Sequence, residues 1–263
     1  MSYEFVNVER KDHLTIVTLN RPKRMNALHA PAHMELQEIF NDYAEDPDQW
    51  VAIITGTGDK AFSAGNDLKY HAENGREVLQ EQMKNNTTGF AGLHKRYDCF
   101  KPIIAAVNGF ALGGGFEIAL SCDIIIAAEG ATFGLPEPRV GLMAGAGGVH
   151  RLPRHIPYHA AMGVILAGKR LTAAEAYNWG LVNEVVSLDK LLETAEKWAS
   201  EIMLGAPISL QASKEAATKG LTVPLEEAIN TQYPLSVKMA GSEDLIEGPK
   251  AFAEKRPPQW KGR

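Results

Sequence analysis

The sequence predicts an α/β fold with a helical C-terminal region, and three observations carry that expectation. Short apolar strand patterns alternate with helical patterns through the first half of the chain; glycine turns lead from strand into helix at "SAG" (63–65) and "GGG" (113–115); and beyond about residue 157 the pattern is helical.

The elements follow in order. "HLTIVTLN" (13–20) alternates like a half-buried strand, and "VAIITG" (51–56) is a continuous apolar run stopped by glycine, the mark of a strand buried on both faces. Between them "APAHMELQEIFNDYAEDPD" reads as a helix with Met34, Leu36, Ile39 and Phe40 on an irregular apolar face and Pro47 as its stop. The unit recurs: "KPIIAAVNG" (101–109) precedes a helix around Glu117, and "DIIIAAEG" (123–130) follows it. Residues 68–98 are polar and rich in glycine and asparagine, so they are expected to form a helix and a covering loop. Leu191, Ala195, Trp198 and Ile202 share one helical face, and further helices are expected at 208–219, 224–239 and 242–254. This divides the chain into a core at 1–200 and a helical region at 201–263.

Composition narrows the function. A chain of 263 residues with 45% hydrophobic residues, 22% charged residues and a net charge of -5 is an ordinary globular protein, with no excess of positive charge to draw nucleic acid or an anionic membrane. Cys99 and Cys122 sit in no ligand spacing, so two reduced thiols in the cytoplasm are expected. The N-terminal stretch, with Glu4, Glu9, Arg10 and Asp12, has no signal-peptide core, and no apolar run approaches the ~20 residues of a membrane span. The N-x-[ST] matches at Asn85 and Asn86 are read as chance. No metal-ligand spacing occurs among the eight histidines, and the nucleophile elbow, phosphate loop and dinucleotide fingerprint are all missing.

In "GGGFEIAL" the glycines allow close backbone approach and open a helix whose first amides are unpaired, while "KAFSAGNDLKY" offers a second such turn. One amide from each would form a receptor for a carbonyl oxygen that gains charge. Glu117 lies in the first turn after Gly114, and Glu137 lies in "TFGLPEPRVG", where Pro136 and Pro138 suggest an extended turn. A carboxylate in an apolar cleft has its pKa raised, which suits acid–base work near neutrality. Each feature alone has a plainer explanation: tight packing for the glycines, dipole stabilisation for Glu117, a turn for Glu137 and helix capping for Asp67.

The combination resembles a known family. "NRPKRMNAL" (20–28), "AIITGTGDKAFSAGNDLK" (52–69), the run from Lys101 to Ile156 and "AFAEKRPPQWKGR" (251–263) together are similar to the enoyl-CoA hydratase/isomerase, or crotonase, superfamily, in the family's order over nearly the whole chain. The resemblance implies a crotonase-like spiral of ββα repeats, assembly as a homotrimer or homohexamer through the C-terminal helices, and an acyl-CoA thioester substrate. It implies an oxyanion hole from the amides of Asn66 and Gly114, with Glu117 deprotonating the attacking water and Glu137 supplying the proton to C2. CoA would lie near Lys23, Arg24, Met25 and Ala27, along Ala64, Gly65, Asp67 and Leu68, beside Leu112 and Gly113, with Phe252 and Lys255 contributing to this or to a neighbouring chain's ligand. No cofactor or metal is implied, coenzyme A being part of the substrate.

Both glutamates are kept by the hydratases of this superfamily, so the implied reaction is reversible addition of water to a 2-enoyl-CoA. Alternatives are a carnitinyl-CoA dehydratase, a hydroxycinnamoyl-CoA hydratase-lyase, an isomerase, or a non-catalytic acyl-CoA binder. Asn66 stands where many hydratases have alanine, Pro138 where an aliphatic residue is common, and "GLMAGAGG" departs from the usual loop; these bear on acyl specificity. Chain size is expected to depend on 68–98 and on Tyr70, Phe90, Leu112, Phe116, Leu142 and Met143.

Overall fold

A computed structural model describes residues 3–263, the Arg76 side chain excepted; Met1 and Ser2 lie outside the described residues. An antiparallel hairpin, β1 (Val6–Lys11) and β2 (Leu14–Leu19), opens the chain and is followed by α1 (Ala30–Glu45). Three strand–strand–helix turns come next. They are β3 (Val51–Gly56), β4 (Ala61–Ser63) and α2 (Leu68–Met83), then β5 (Ile103–Val107), β6 (Phe110–Leu112) and α3 (Gly114–Ala119), then β7 (Ile124–Ala128), β8 (Thr132–Gly134) and α4 (Gly148–His155). Helix α5 (Tyr158–Ala167), β9 (Leu171–Thr172), α6 (Ala173–Asn178) and β10 (Glu184–Val186) finish the spiral.

The long strand of each turn joins a six-stranded sheet of order β1-β2-β3-β5-β7-β10, and the short strands join a four-stranded sheet of order β4-β6-β8-β9. From β2 to β10 the large sheet is parallel, with Ile53 beside Ile104 and Ile104 beside Ile124. A parallel sheet covered on both faces needs apolar residues on both, and the two-residue period divides each run between two cores. Ala52, Ile54, Ile103, Ala105 and Val107 face the main core with Leu36, Phe40 and Phe116, whereas Val51, Ile53, Ile104 and Ala106 face α7 (Leu191–Ile202), which covers them with Leu191, Ala195 and Ala199.

Four helices follow: α8 (Pro207–Gly220), α9 (Leu225–Asn230), α10 (Pro234–Ala240) and α11 (Asp244–Glu254). The helix expected over 224–239 is two, because Pro234 has no amide hydrogen to continue the ladder and instead starts α10 at its first turn. Within 68–98, α2 is broken at Gly75, whose φ is 75°, and a short 3-10 turn forms at Phe90–Gly92. Cys99 and Cys122 are free thiols. Among the described residues no helix is long and apolar enough to cross a membrane.

Candidate active site

The successive turns of the spiral bring the glycine loops side by side. Asn66 follows β4, and its loop is pinned to residue 28 by hydrogen bonds from Leu28 N–H to Gly65 O and from Asp67 N–H to Leu28 O. Those bonds engage the peptide groups flanking Asn66, whose own N–H has no acceptor among the described residues. One turn later Gly113 precedes α3, so the Gly114 amide is a first-turn donor without an intrahelical partner. The two loops touch: a Cβ built on Gly65, with φ +84°, would stand 2.7 Å from the Gly114 nitrogen.

Both acids open onto the same cleft. A cavity of ≈ 280 Å³ is lined by Asn66, Gly114, Glu117 and Glu137, together with Ala64, Leu68 and Gly113 and the loop residues Leu142 and Met143. Glu117 is 3% exposed, and its Oε1 accepts the Gly148 N–H at 2.8 Å. Burial raises its pKa to about 7, with the Gly148 amide acting against that rise and the Glu137 charge adding to it. Burial likewise raises Glu137, whose Oε2 is buried without a hydrogen-bond partner. The Glu137 carboxylate lies against Gly113, where a Cβ would meet Oε1 at 3.0 Å. Glu137 itself begins a 3-10 turn, Glu137–Val140, rather than lying in an extended one, because Pro138 sits in its first turn with φ already suited to helix.

Other expected residues lie apart from this cleft. Lys23, Arg24 and Met25 form an exposed 3-10 turn and its left-handed cap, and Lys23 and Met25 line a separate cavity of ≈ 280 Å³ with Gly58, Asp59 and Lys60. Ala27 is buried, its carbonyl accepting a hydrogen bond from Arg21. Asp67 caps α2 through the Tyr70 N–H and pairs with Arg21 at 3.0 Å, so its side chain is structural. Leu112, at the end of β6, packs beside Gly134, and Phe116 is fully buried against Phe133 on the core side of α3; neither lines the cleft. Tyr70 donates to Gln82 and also lies outside it, whereas Phe90, Leu142 and Met143 line it. Phe252, 87% exposed, and Lys255 at the left-handed end of α11 do not line it within this chain.

Two positioning residues were not singled out by sequence reasoning. Asn26, 1% exposed, accepts from Arg21 N–H and donates to the carbonyls of Thr57 and Ala61, fastening the 20–28 loop to β4. Arg21 ties the same loop to Asp67. The only sequence signal was their place in "NRPKRMNAL".

Two carboxyls facing two free main-chain amides on a ββα spiral make an acid–base site for a polarised carbonyl compound. The chain belongs to the enoyl-CoA hydratase/isomerase family, whose sequence pattern matches residues 9–263. It is 43% identical to a carnitinyl-CoA dehydratase of Salmonella typhi over 99% of both chains. It is similar in structure to an enoyl-CoA hydratase from Mycobacterium tuberculosis H37Rv, with a TM-score of 0.90 and 38% identity over 98% of this chain and 99% of that one. A second enoyl-CoA hydratase, from Bacillus anthracis, gives a TM-score of 0.91 with 37% identity over 99% and 100% of the two chains.

Proposed function

We propose that this enzyme is a hydro-lyase of the enoyl-CoA hydratase type, which adds water reversibly across C2=C3 of a 2-enoyl-CoA to give a 3-hydroxyacyl-CoA. The observation that carries the reading is the convergence of Glu117, Glu137 and the Asn66 and Gly114 loops on one cleft in a chain of this family. The thioester oxygen accepts from the Asn66 and Gly114 amides, which draws electron density from C3 and stabilises the enolate. Glu117 takes a proton from water as the O–C3 bond forms and the π bond opens, and Glu137 delivers a proton to C2. Oxyanion donors are worth ~3 to 4 kcal/mol each, and each acid or base contributes about a hundred- to ten-thousand-fold.

CoA lies along the exposed 22–25 turn and the Ala64–Leu68 backbone, and no cofactor is required beyond the CoA that the substrate carries. The chain works in the cytoplasm as a trimer or a hexamer of two trimers. Apolar side chains left exposed on the C-terminal region, Leu221, Leu225, Ile229, Ile246 and Phe252, support assembly through 201–263 and a Phe252–Lys255 contribution to a neighbouring site. Light scattering of the purified protein tests this: a monomer would remove it.

A second reading, favoured by the 43% identity, is dehydration of carnitinyl-CoA, the same chemistry run backwards on one substrate. Loss of enoyl absorbance with crotonyl-CoA and longer, branched and aromatic 2-enoyl-CoAs, beside appearance of that absorbance with carnitinyl-CoA, separates the two. No turnover of any thioester would sink both.

A further inference from the structure

Next to the catalytic cleft lies a second chamber of ≈ 390 Å³, and the two share Asn66, Phe90, Gly145 and Ala146 as their common wall. An acyl chain whose thioester sits between Asn66 and Gly114 has this chamber open beside it. Its apolar lining includes Leu79 and Met83, but three imidazoles, His33, His71 and His94, also face it.

The state of two of these rings is fixed by the backbone. The 89–92 turn places Gly89, Ala91 and Gly92 at φ of 73°, 55° and 68°, an uncommon run for a chain that includes alanine. So wound, it aims two consecutive amides at two rings: Phe90 N–H donates to Nδ1 of His94, and Ala91 N–H donates to Nδ1 of His33 at 3.1 Å. A ring that accepts at Nδ1 carries its hydrogen on Nε2 when neutral. Both rings are held neutral, His33 lowered to about 3 chiefly by burial and His94 to about 4 by burial and then by Lys95 and Arg151. The chamber wall therefore contains two N–H donors with no charge. The Asn66 side chain lies against the His33 ring, with its Oδ1 buried and completing no hydrogen bond. Among the described residues no Asp, Glu, Lys or Arg lines the chamber.

Resting on the acyl-thioester reading of the adjoining cleft, we infer that this chamber selects acyl chains bearing a neutral oxygen group, such as a hydroxyl, whose oxygen accepts from the His33 and His94 rings. A plain hydrocarbon tail would leave these buried polar groups unpaired, at the cost that makes hydrogen-bonding sites selective. Among the described residues no carboxylate, ammonium or guanidinium group lines the chamber to pair with a charged tail, which goes with the hydratase reading and against a quaternary-ammonium (carnitinyl) chain seated here.

Calorimetric binding of saturated CoA esters reads this apart from turnover. The wild type is titrated with hexanoyl-CoA, 6-hydroxyhexanoyl-CoA, adipoyl-CoA and 6-aminohexanoyl-CoA, with 3-phenylpropanoyl-CoA and 3-(4-hydroxyphenyl)propanoyl-CoA as an aromatic pair. At least tenfold tighter binding of one hydroxylated ester over its unsubstituted partner, with both charged esters weaker, is expected. Equal or tighter binding of the hydrocarbon in both pairs, or preference for a charged tail, overturns the inference. The variants His33→Asn and His94→Asn keep an acceptor for the backbone amide but remove the Nε2 donor, so the ratio should fall toward one; if either fails to fold, the wild-type ratio still decides. Crotonyl-CoA hydration by the wild type tests the hydratase reading separately.

Discussion

Gly148 N–H holds Oε1 of Glu117 at 2.8 Å across 31 residues of chain. The donor is the first residue of α4, so the positive end of that helix also faces the acid. The bond orients the carboxylate and partly offsets its burial. A methyl at Gly148 would stand 3.0 Å from that oxygen and 3.0 Å from Ala144 Cβ. Gly148→Ala should therefore lower kcat on crotonyl-CoA with less effect on KM, as steady-state rates against the wild type will read.

Glu117→Gln and Glu137→Gln should each lower kcat by about a hundred- to ten-thousand-fold. Circular dichroism should be unchanged, since glutamine keeps the shape of glutamate and, in the first variant, its amide oxygen can still accept from the Gly148 N–H. Retention of full activity by either variant would remove that acid from the mechanism.

The pKa of Glu117, raised to about 7, fixes the direction of two pH effects. If Glu117 must be ionised to take the water proton, kcat/KM rises as pH increases through about 7. Stability runs the other way. The folded chain holds the Glu117 proton more tightly than the unfolded one, so this group's favourable contribution is complete below pH 4.5, its ordinary value, and is lost as pH rises through about 7. The loss is on the order of 3 kcal/mol at most. Denaturant titrations should show Glu117→Gln gaining on the wild type above pH 7 and matching it near pH 4.

Arg21 and Asp67 form a nearly buried pair, their side chains 12% and 6% exposed. Burial pushes the Asp67 carboxyl up, but the Tyr70 amide and Arg21 outweigh it and hold it below the usual range. Arg21→Ala should cost roughly 3–5 kcal/mol, because it strands a buried charge. Asp67→Asn keeps the helix cap and should cost less in urea unfolding.

Gly65→Ala combines a φ of +84° with a Cβ 2.7 Å from both Gly114 N and Leu112 O. The contacts are backbone and cannot swing away. Loss of kcat with destabilisation of about 1 kcal/mol or more is expected, measured by rate and melting temperature on the same preparation.

Much of the fold is readable because the alternation in "HLTIVTLN", the short apolar runs of "VAIITG" and "KPIIAAVNG" and the spacing of Leu191, Ala195, Trp198 and Ile202 are local signals. Over 224–239 the apolar pattern runs through Pro234 and reads as one helix, where the missing amide hydrogen of Pro234 makes two. Bringing Glu137 beside Gly113 depends on the pairing of β6 with β8, which no local pattern encodes; there the family resemblance, not the residues, supplied the partner. Phe116 goes the other way, since this neighbour of Glu117 on a short helix points into the core. His33, His71 and His94 had no periodic relation at all, and their meeting around one chamber came only from the folded chain.

In the proposed mechanism the two carbonyl-polarising groups belong to the main chain, whereas the two acids are side chains. Inheritance acts on them unequally. Almost any codon at position 66 still encodes an amide hydrogen, but a single nucleotide change can erase the acid at 117 or 137. A descendant gene can thus redirect what becomes of the activated thioester, in one or two mutational steps, while the means of activating it passes on unaltered.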